Sequence, residues 1–310
     1  MTASSEATGT VVEVQHLSKR FGAVQAVDDL SFTVQPGRVT GFLGPNGAGK
    51  TTTLRCLLGL VRPTSGAVTI GGRRYEDLQR PGRVVGAALE AASFHPGRTA
   101  LDHLRVYAPQ VGVGDQRARE VLHLVGLDAS ADRRVGGFSL GMRQRLALAG
   151  TLLGDPSVLL LDEPANGLDP EGISWLRGFL RALAAEGRTV LVSSHVLSEV
   201  QQTVDEVVIV NHGRLVHSSP LADLQRLVRR QVRVVTPDAA GLAALVQRAG
   251  WTGAPPPGAP PGVLDVFDVD AATVGTAAHA AGLELHQLAT QDVGLEQVFL
   301  QLTSDEGRAA

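Results

Sequence analysis

The chain has 310 residues, enough for one sizeable core and a smaller second one. A formal net charge of −3 gives no general pull toward nucleic acid, and a single cysteine excludes an internal disulfide. No run approaches the roughly 18–20 apolar residues that span a bilayer, and residues 1–10 lack the basic start and apolar core of a signal peptide.

Residues 1–10 read as a polar, disordered tail. From Val11 to about Pro36, alternating apolar runs and a Pro-Gly turn predict antiparallel strands. Arg38–Leu43 is a short buried strand that enters Gly44-Pro45-Asn46-Gly47-Ala48-Gly49-Lys50-Thr51-Thr52, a complete phosphate-binding loop. Its glycines permit torsions that turn successive N–H groups onto a triphosphate. Lys50 can then reach the β- and γ-phosphates, and the Thr51 hydroxyl can serve Mg²⁺. Thr51–Leu58 reads as the helix leaving the loop, its N-terminus aimed at the anion, with Cys56 as a small core residue. A further strand ends at Gly71-Gly72.

Residues 96–155 read as mostly helical, with helices at Thr99–Tyr107, Gln116–Val125 and Leu140–Leu153. Ser139 sits where an N-cap belongs, and Gly141 lies in the first turn, where N–H groups can face an anion. Val158–Leu161 is a buried strand that runs into Asp162-Glu163-Pro164. Two acids at a strand's carboxyl end suit a Mg²⁺ shell (Asp162) and the polarisation of an attacking water (Glu163). Asp169 before Pro170 makes an N-cap and first turn. Thr189–His195 is a strand ending in a histidine whose imidazole could bond a γ-phosphate and orient Glu163. Pro170–Glu186 and Val196–Val204 are expected crossover helices, and Val207–Val210 with Arg214–Val216 a hairpin. The alternation implies an α/β fold with a mainly parallel sheet.

Residues 221–310 carry no catalytic motif. Their pattern predicts helix 221–230, strand 232–236, helix 238–249, a stiff Pro-rich connector at 254–262, strand 263–269, helix 271–281, strand 283–288 and helix 294–302. That is a small α+β appendage. Arg226, Arg229, Arg230 and Arg233 fit a solvated helix face and strand start, and no specific nucleic-acid partner is expected.

The phosphate loop and Asp162-Glu163 occur with Gly137-Phe-Ser-Leu-Gly-Met-Arg-Gln-Arg145, whose Ser139 lies 23 residues before Asp162. In that combination the chain resembles ATP-binding cassette (ABC) proteins over residues 11–220, with a helical lobe at about 96–155 and an accessory domain at 221–310. The resemblance implies a P-loop NTPase cassette that binds ATP and Mg²⁺. Ser139 and the Gly141 N–H would contact the γ-phosphate of nucleotide on an opposing subunit, Asp169 would be conformationally coupled, and His195 would be the switch histidine. Phe21, in Leu17–Gly22, takes the place of the aromatic residue that stacks on adenine; a core phenylalanine is the alternative. Glu90 falls where glutamine is usual, as an oxygen ligand for Mg²⁺ or water. The Ser-Leu-Gly-Met form and the ending Val293–Thr303 resemble the ATPases of bacitracin- and daunorubicin-type exporters. The implied protein is a homodimeric ATPase at the cytoplasmic face of the membrane, driving a separate permease. A cytosolic ATP-gated switch and a weakly catalytic partner in a heterodimer stay open as other readings.

Overall fold

The computed structural model describes residues 9–89, 94–226, 230–256, 258–291 and 295–304. In chain order it has β1 (Val12–Phe21), β2 (Val24–Val34), β3 (Val39–Leu43), α1 (Lys50–Leu57), β4 (Ser65–Ile70), α2 (Pro81–Val84) and β5 (Val85–Ala88). Then follow α3 (Ala100–Tyr107), α4 (Asp115–Leu124), α5 (Leu140–Thr151), β6 (Val158–Leu161), α6 (Pro170–Ala185), β7 (Thr189–Ser194), α7 (Leu197–Val200), β8 (Glu206–Asn211) and β9 (Arg214–Pro220). The remainder is α8 (Leu221–Arg226), β10 (Gln231–Val235), α9 (Ala239–Ala249), β11 (Thr252–Ala254), β12 (Val263–Phe267), α10 (Ala271–Ala280), β13 (Gln287–Gln291) and α11 (Leu295–Thr303). The chain divides into two compact units: one runs through Leu221 and takes in the chain from Leu302, and the other is Ala222–Gln301.

The first unit is built on a six-stranded sheet in the order β5-β6-β7-β3-β8-β9. Every pairing in it is parallel except β8 with β9. Strands covered on both faces should be continuously apolar, and every residue of Val39–Leu43 and Val158–Leu161 is buried. A second, antiparallel sheet, β2-β1-β4, lies against the same core. Phe32 and Phe42 join the two layers, their ring centroids 5.1 Å apart. Leu54 and Leu57 anchor α1 in that core. This burial fixes the strand ends, and with them the chemistry that follows.

Helices α3, α4 and α5 follow one another between Ala100 and Thr151. Thr99 caps α3 by accepting the Asp102 N–H at 3.0 Å. The second crossover helix is a correction. Val196–Val204 was expected to be helical throughout, but only Leu197–Val200 is. Val196 is extended at φ −122°, and the chain turns again at Thr203, whose N–H donates to Val200 O at 2.7 Å.

The second unit has a βαββαβ order and an all-antiparallel sheet, β11-β12-β10-β13. This is the split βαβ, ferredoxin-like arrangement. Val232, Val234, Leu242, Val266 and Val274 form its core. Here too the expected elements shift. The strand expected at 283–288 is Gln287–Gln291, because Leu283 is spent on ending α10. Its N–H donates to Ala278 O at 2.9 Å and that of Gly282 to His279 O at 3.0 Å, the paired bonds of a Schellman cap. Thr252–Ala254, partly read as connector, is an edge strand on β12. Of the expected 294–302 helix, the structure describes Leu295–Thr303; Val293 lies outside the described residues, as do Arg229 and Glu90.

Candidate functional site at the strand carboxyl ends

Strands β6, β7 and β3 are neighbours, all parallel. Their carboxyl ends therefore release Asp162-Glu163, His195 and the phosphate loop along one edge of the sheet. Register aligns Leu43 with Ser194 and Leu161 with Val192. Ligands of open α/β sheets bind at this edge.

The loop from Gly44 to Lys50 connects β3 to α1. Gly49 has φ 100°, where a side chain is strained, and a Cβ there would lie 2.5 Å from Ala26 O. Gly44 is confined by Val210 O, 2.3 Å from the place of a Cβ. Pro45, Asn46 and Gly47 form the arch, closed by Ala48 N–H donating to Pro45 O at 3.1 Å. Thr52 lies in the first turn of α1. Lys50 is 7% exposed, and its Nζ donates to Gly44 O at 2.7 Å and Pro45 O at 3.3 Å. It also lies 3.4 Å from Glu163 Oε1. The buried ammonium is thus held by two carbonyls and one carboxylate, partners a triphosphate can replace.

Thr51 Oγ1 donates to Asp162 Oδ2 at 2.7 Å. The other carboxylate oxygen of Asp162 accepts from Ser193 Oγ. Ser193 Oγ in turn accepts the Glu163 N–H at 2.9 Å. Glu163 has φ 49°, a left-handed backbone that costs a non-glycine residue about 1–2 kcal/mol. Its Oε2 is 2.8 Å from His195 Nδ1. An ionised carboxylate can only accept, so the imidazole proton sits on Nδ1 in this pair. Ser193 has no place among the residues expected from sequence. Its signal was a hydroxyl on a wholly buried strand, one residue past the register partner of Leu161.

The residues expected to act on an opposing nucleotide form a separate group. Ser139 caps α5, its Oγ accepting the Met142 N–H at 3.2 Å. The turn at Gly167 and Leu168 packs on Leu140 and Gly141. Asp169 caps α6 through the Gly172 N–H at 2.8 Å. Arg145, 4.0 Å over the Trp175 ring, ties α5 to α6. Among the described residues, no hydrogen bond or ion pair joins Ser139, Gly141 or Asp169 to the Lys50 cluster. Phe21 is 49% exposed at the end of β1, with Lys19 Nζ 4.7 Å from its ring centroid, so it is not a core residue.

Thr51 and Asp162 present two hard oxygens side by side. That donor set suits Mg²⁺, which binds through one or two protein oxygens, waters and substrate phosphates rather than an all-protein cage.

A P-loop nucleotide-binding cassette is the class that this sheet and site define. Residues 27–166 match the ABC transporter family model, and residues 230–296 match a domain of unknown function. The bacitracin transport ATP-binding protein BcrA of Bacillus licheniformis is 42% identical over 224 residues, 71% of this chain and 73% of the relative. The lantibiotic transport ATP-binding protein SrtF of Streptococcus pyogenes is 36% identical, covering 66% of this chain and 89% of its own. A solved ATP-binding subunit of an ABC transporter superposes with a TM-score of 0.62 at 30% identity, covering 70% of this chain and 92% of that one. The chain belongs to the ABC transporter family, as an ATP-binding subunit with ATPase activity.

Proposed function

We propose that this chain powers an antibiotic-type exporter by hydrolysing Mg²⁺–ATP at the Lys50–Glu163 cluster. The observation that carries this reading is the convergence of Lys50, Thr51, Asp162, Glu163 and His195 at the ends of three adjacent parallel strands. In this reading Lys50 exchanges its loop carbonyls for β- and γ-phosphate oxygens, and the loop N–H groups cradle the remainder. Thr51 and Asp162 would hold Mg²⁺, which neutralises charge on the β- and γ-oxygens when bound. Glu163, aligned by His195, polarises a water whose oxygen attacks the γ-phosphorus. The bond to the bridging oxygen breaks, and ADP and phosphate leave. Phe21 offers an exposed ring for the adenine.

Separation of Ser139, Gly141 and Asp169 from that cluster favours a site completed by a second copy. A helix N-terminus capped by Ser139 would then face the γ-phosphate of the partner's nucleotide. A structural relative solved as a dimer with ADP and phosphate has this cassette fold, with a TM-score of 0.62.

The helical lobe supplies a surface for the permease. A groove of about 470 Å³ is lined by Leu89, Phe94, His103, Tyr107 and Leu146, among others. In it His103 is 8% exposed, and its Nδ1 has no hydrogen-bond partner among the described residues. No helix among the described residues is long and apolar enough to cross a membrane. In this reading a separate permease chain carries the transport path, with this subunit at the cytoplasmic face of the membrane. The names of BcrA and SrtF favour a peptide antibiotic as cargo.

The test is Mg²⁺–ATP turnover by the purified chain beside Glu163→Gln. Hydrolysis by the wild type and its loss in the variant is the expected result. Equal turnover in both would remove Glu163 from the mechanism.

A further inference from the structure

We propose that Ser193 is a positioning residue that fixes the Mg²⁺-binding acid and the catalytic acid in one relative geometry. The inference rests on the hydrolysis reading above and deepens it. Three observations meet at one oxygen. Ser193 is 0% exposed, its Oγ donates to Asp162 Oδ1, and the same Oγ accepts the Glu163 N–H at 2.9 Å.

The chemistry leaves no choice of direction. The Asp162 carboxylate has no proton to give, and the Glu163 N–H has no acceptor capacity, so the single hydroxyl proton points to Asp162 and an oxygen lone pair to Glu163. Both oxygens of Asp162 are then held, one by Thr51 and the other by Ser193. Without the hydroxyl, the part-buried N–H of Glu163, on a left-handed backbone at φ 49°, would lose this acceptor. Ser193 therefore holds the Asp162 carboxylate and the Glu163 backbone from a neighbouring strand. Their relative position is set by the β6–β7 register rather than by the turn alone.

Removing the hydroxyl frees one oxygen of Asp162 and lets the Glu163 backbone relax toward ordinary torsions. Groups that orient metal ligands in this way change metal affinity or activity by about 10- to 100-fold when lost. A side chain that only fills space would change the melting temperature and leave both intact.

The experiment uses the full chain with Ser193→Ala and Ser193→Cys. Cysteine leaves the buried position filled, with a somewhat larger atom, and replaces a strong donor by a weak one, so it gives the same reading if Ser193→Ala lacks a cooperative melt. Three quantities are read: kcat, the Mg²⁺ concentration for half-maximal binding of a fluorescent trinitrophenyl-ATP probe, and the effect of the change within Glu163→Gln. The expected result is kcat lowered by about 10- to 100-fold and a Mg²⁺ midpoint raised about tenfold. Within Glu163→Gln the Ser193 change should lower the residual rate by less than about threefold, because the two act as a unit. A folded Ser193→Cys protein with kcat and Mg²⁺ midpoint within about twofold of wild type would overturn the inference, and so would full additivity with Glu163→Gln. A wild-type chain with no ATPase activity would instead overturn the underlying reading.

Discussion

His195 Nδ1 and Glu163 Oε2 lie 2.8 Å apart, so a residue leaving β7 holds the carboxylate that leaves β6. Glu163 is also within 3.4 Å of Lys50 and is 24% exposed. One oxygen thus faces the histidine and the other the lysine, which aims the carboxylate across the site. His195→Ala should lower kcat by about 10²-fold, the lower end of what a positioned general base contributes, with a smaller change in KM for ATP. A steady-state titration with ATP checks the split.

Lys50→Ala should behave differently from Glu163→Gln. It removes the cation that meets the phosphates and empties a buried position between Gly44 and Pro45. ATP affinity should fall by more than about tenfold, as expected for the loss of a charge-assisted hydrogen bond, together with hydrolysis. Glu163→Gln should keep its affinity within about threefold and lose hydrolysis alone. Equilibrium binding of a fluorescent nucleotide separates the two.

Burial, with a smaller contribution from Arg98, lowers the pKa of His103 below its ordinary 6.5. A group whose folded pKa is depressed favours the fold above its unfolded pKa, and that stability is lost as pH falls through the folded value. Phe94 and Tyr107 flank the ring at 4.8 and 5.1 Å, and its Nδ1 is unpaired. His103→Phe should leave the melting temperature at pH 7 unchanged or raised and flatten its decline below about pH 6.5. Melting curves from pH 5 to about pH 8 read this directly.

Burial raises the Cys56 thiol from 9.0 to about 11, against a smaller opposing effect of Lys19. At pH 8 the native protein should not react with a disulfide reagent, and one thiol should appear on denaturation. The linked stability is present below about pH 9 and is lost as pH rises toward about 11.

The phosphate loop was legible because its glycine spacing imposes a local geometry on the strand and helix beside it. Asp162, Glu163 and His195 were legible because each ends an aliphatic run, and parallel strands send such ends to one edge. Ser193 was not, because its partners depend on the register of β6 against β7, and Glu163 lies 30 positions away in the chain. The strands that lead to the phosphate loop, to the two acids and to His195 kept their expected places because apolar runs set them. The errors fell where end chemistry decides: the Schellman cap that takes Leu283, the extended Val196 that shortens α7, and the edge strand Thr252–Ala254. Phe21 could be read as core or as platform, and only its exposure decides between them.

The central claim is that Ser139 and Gly141 complete the nucleotide site of a second copy. Light scattering on a sizing column, using Glu163→Gln with and without Mg²⁺–ATP, tests it most directly. The expected result is a monomer without nucleotide, a dimer of twice its mass with Mg²⁺–ATP, and a monomer again when Ser139→Ala and Gly141→Asp are added. A protein that binds ATP and remains monomeric under these conditions would contradict a site built from two copies of this chain.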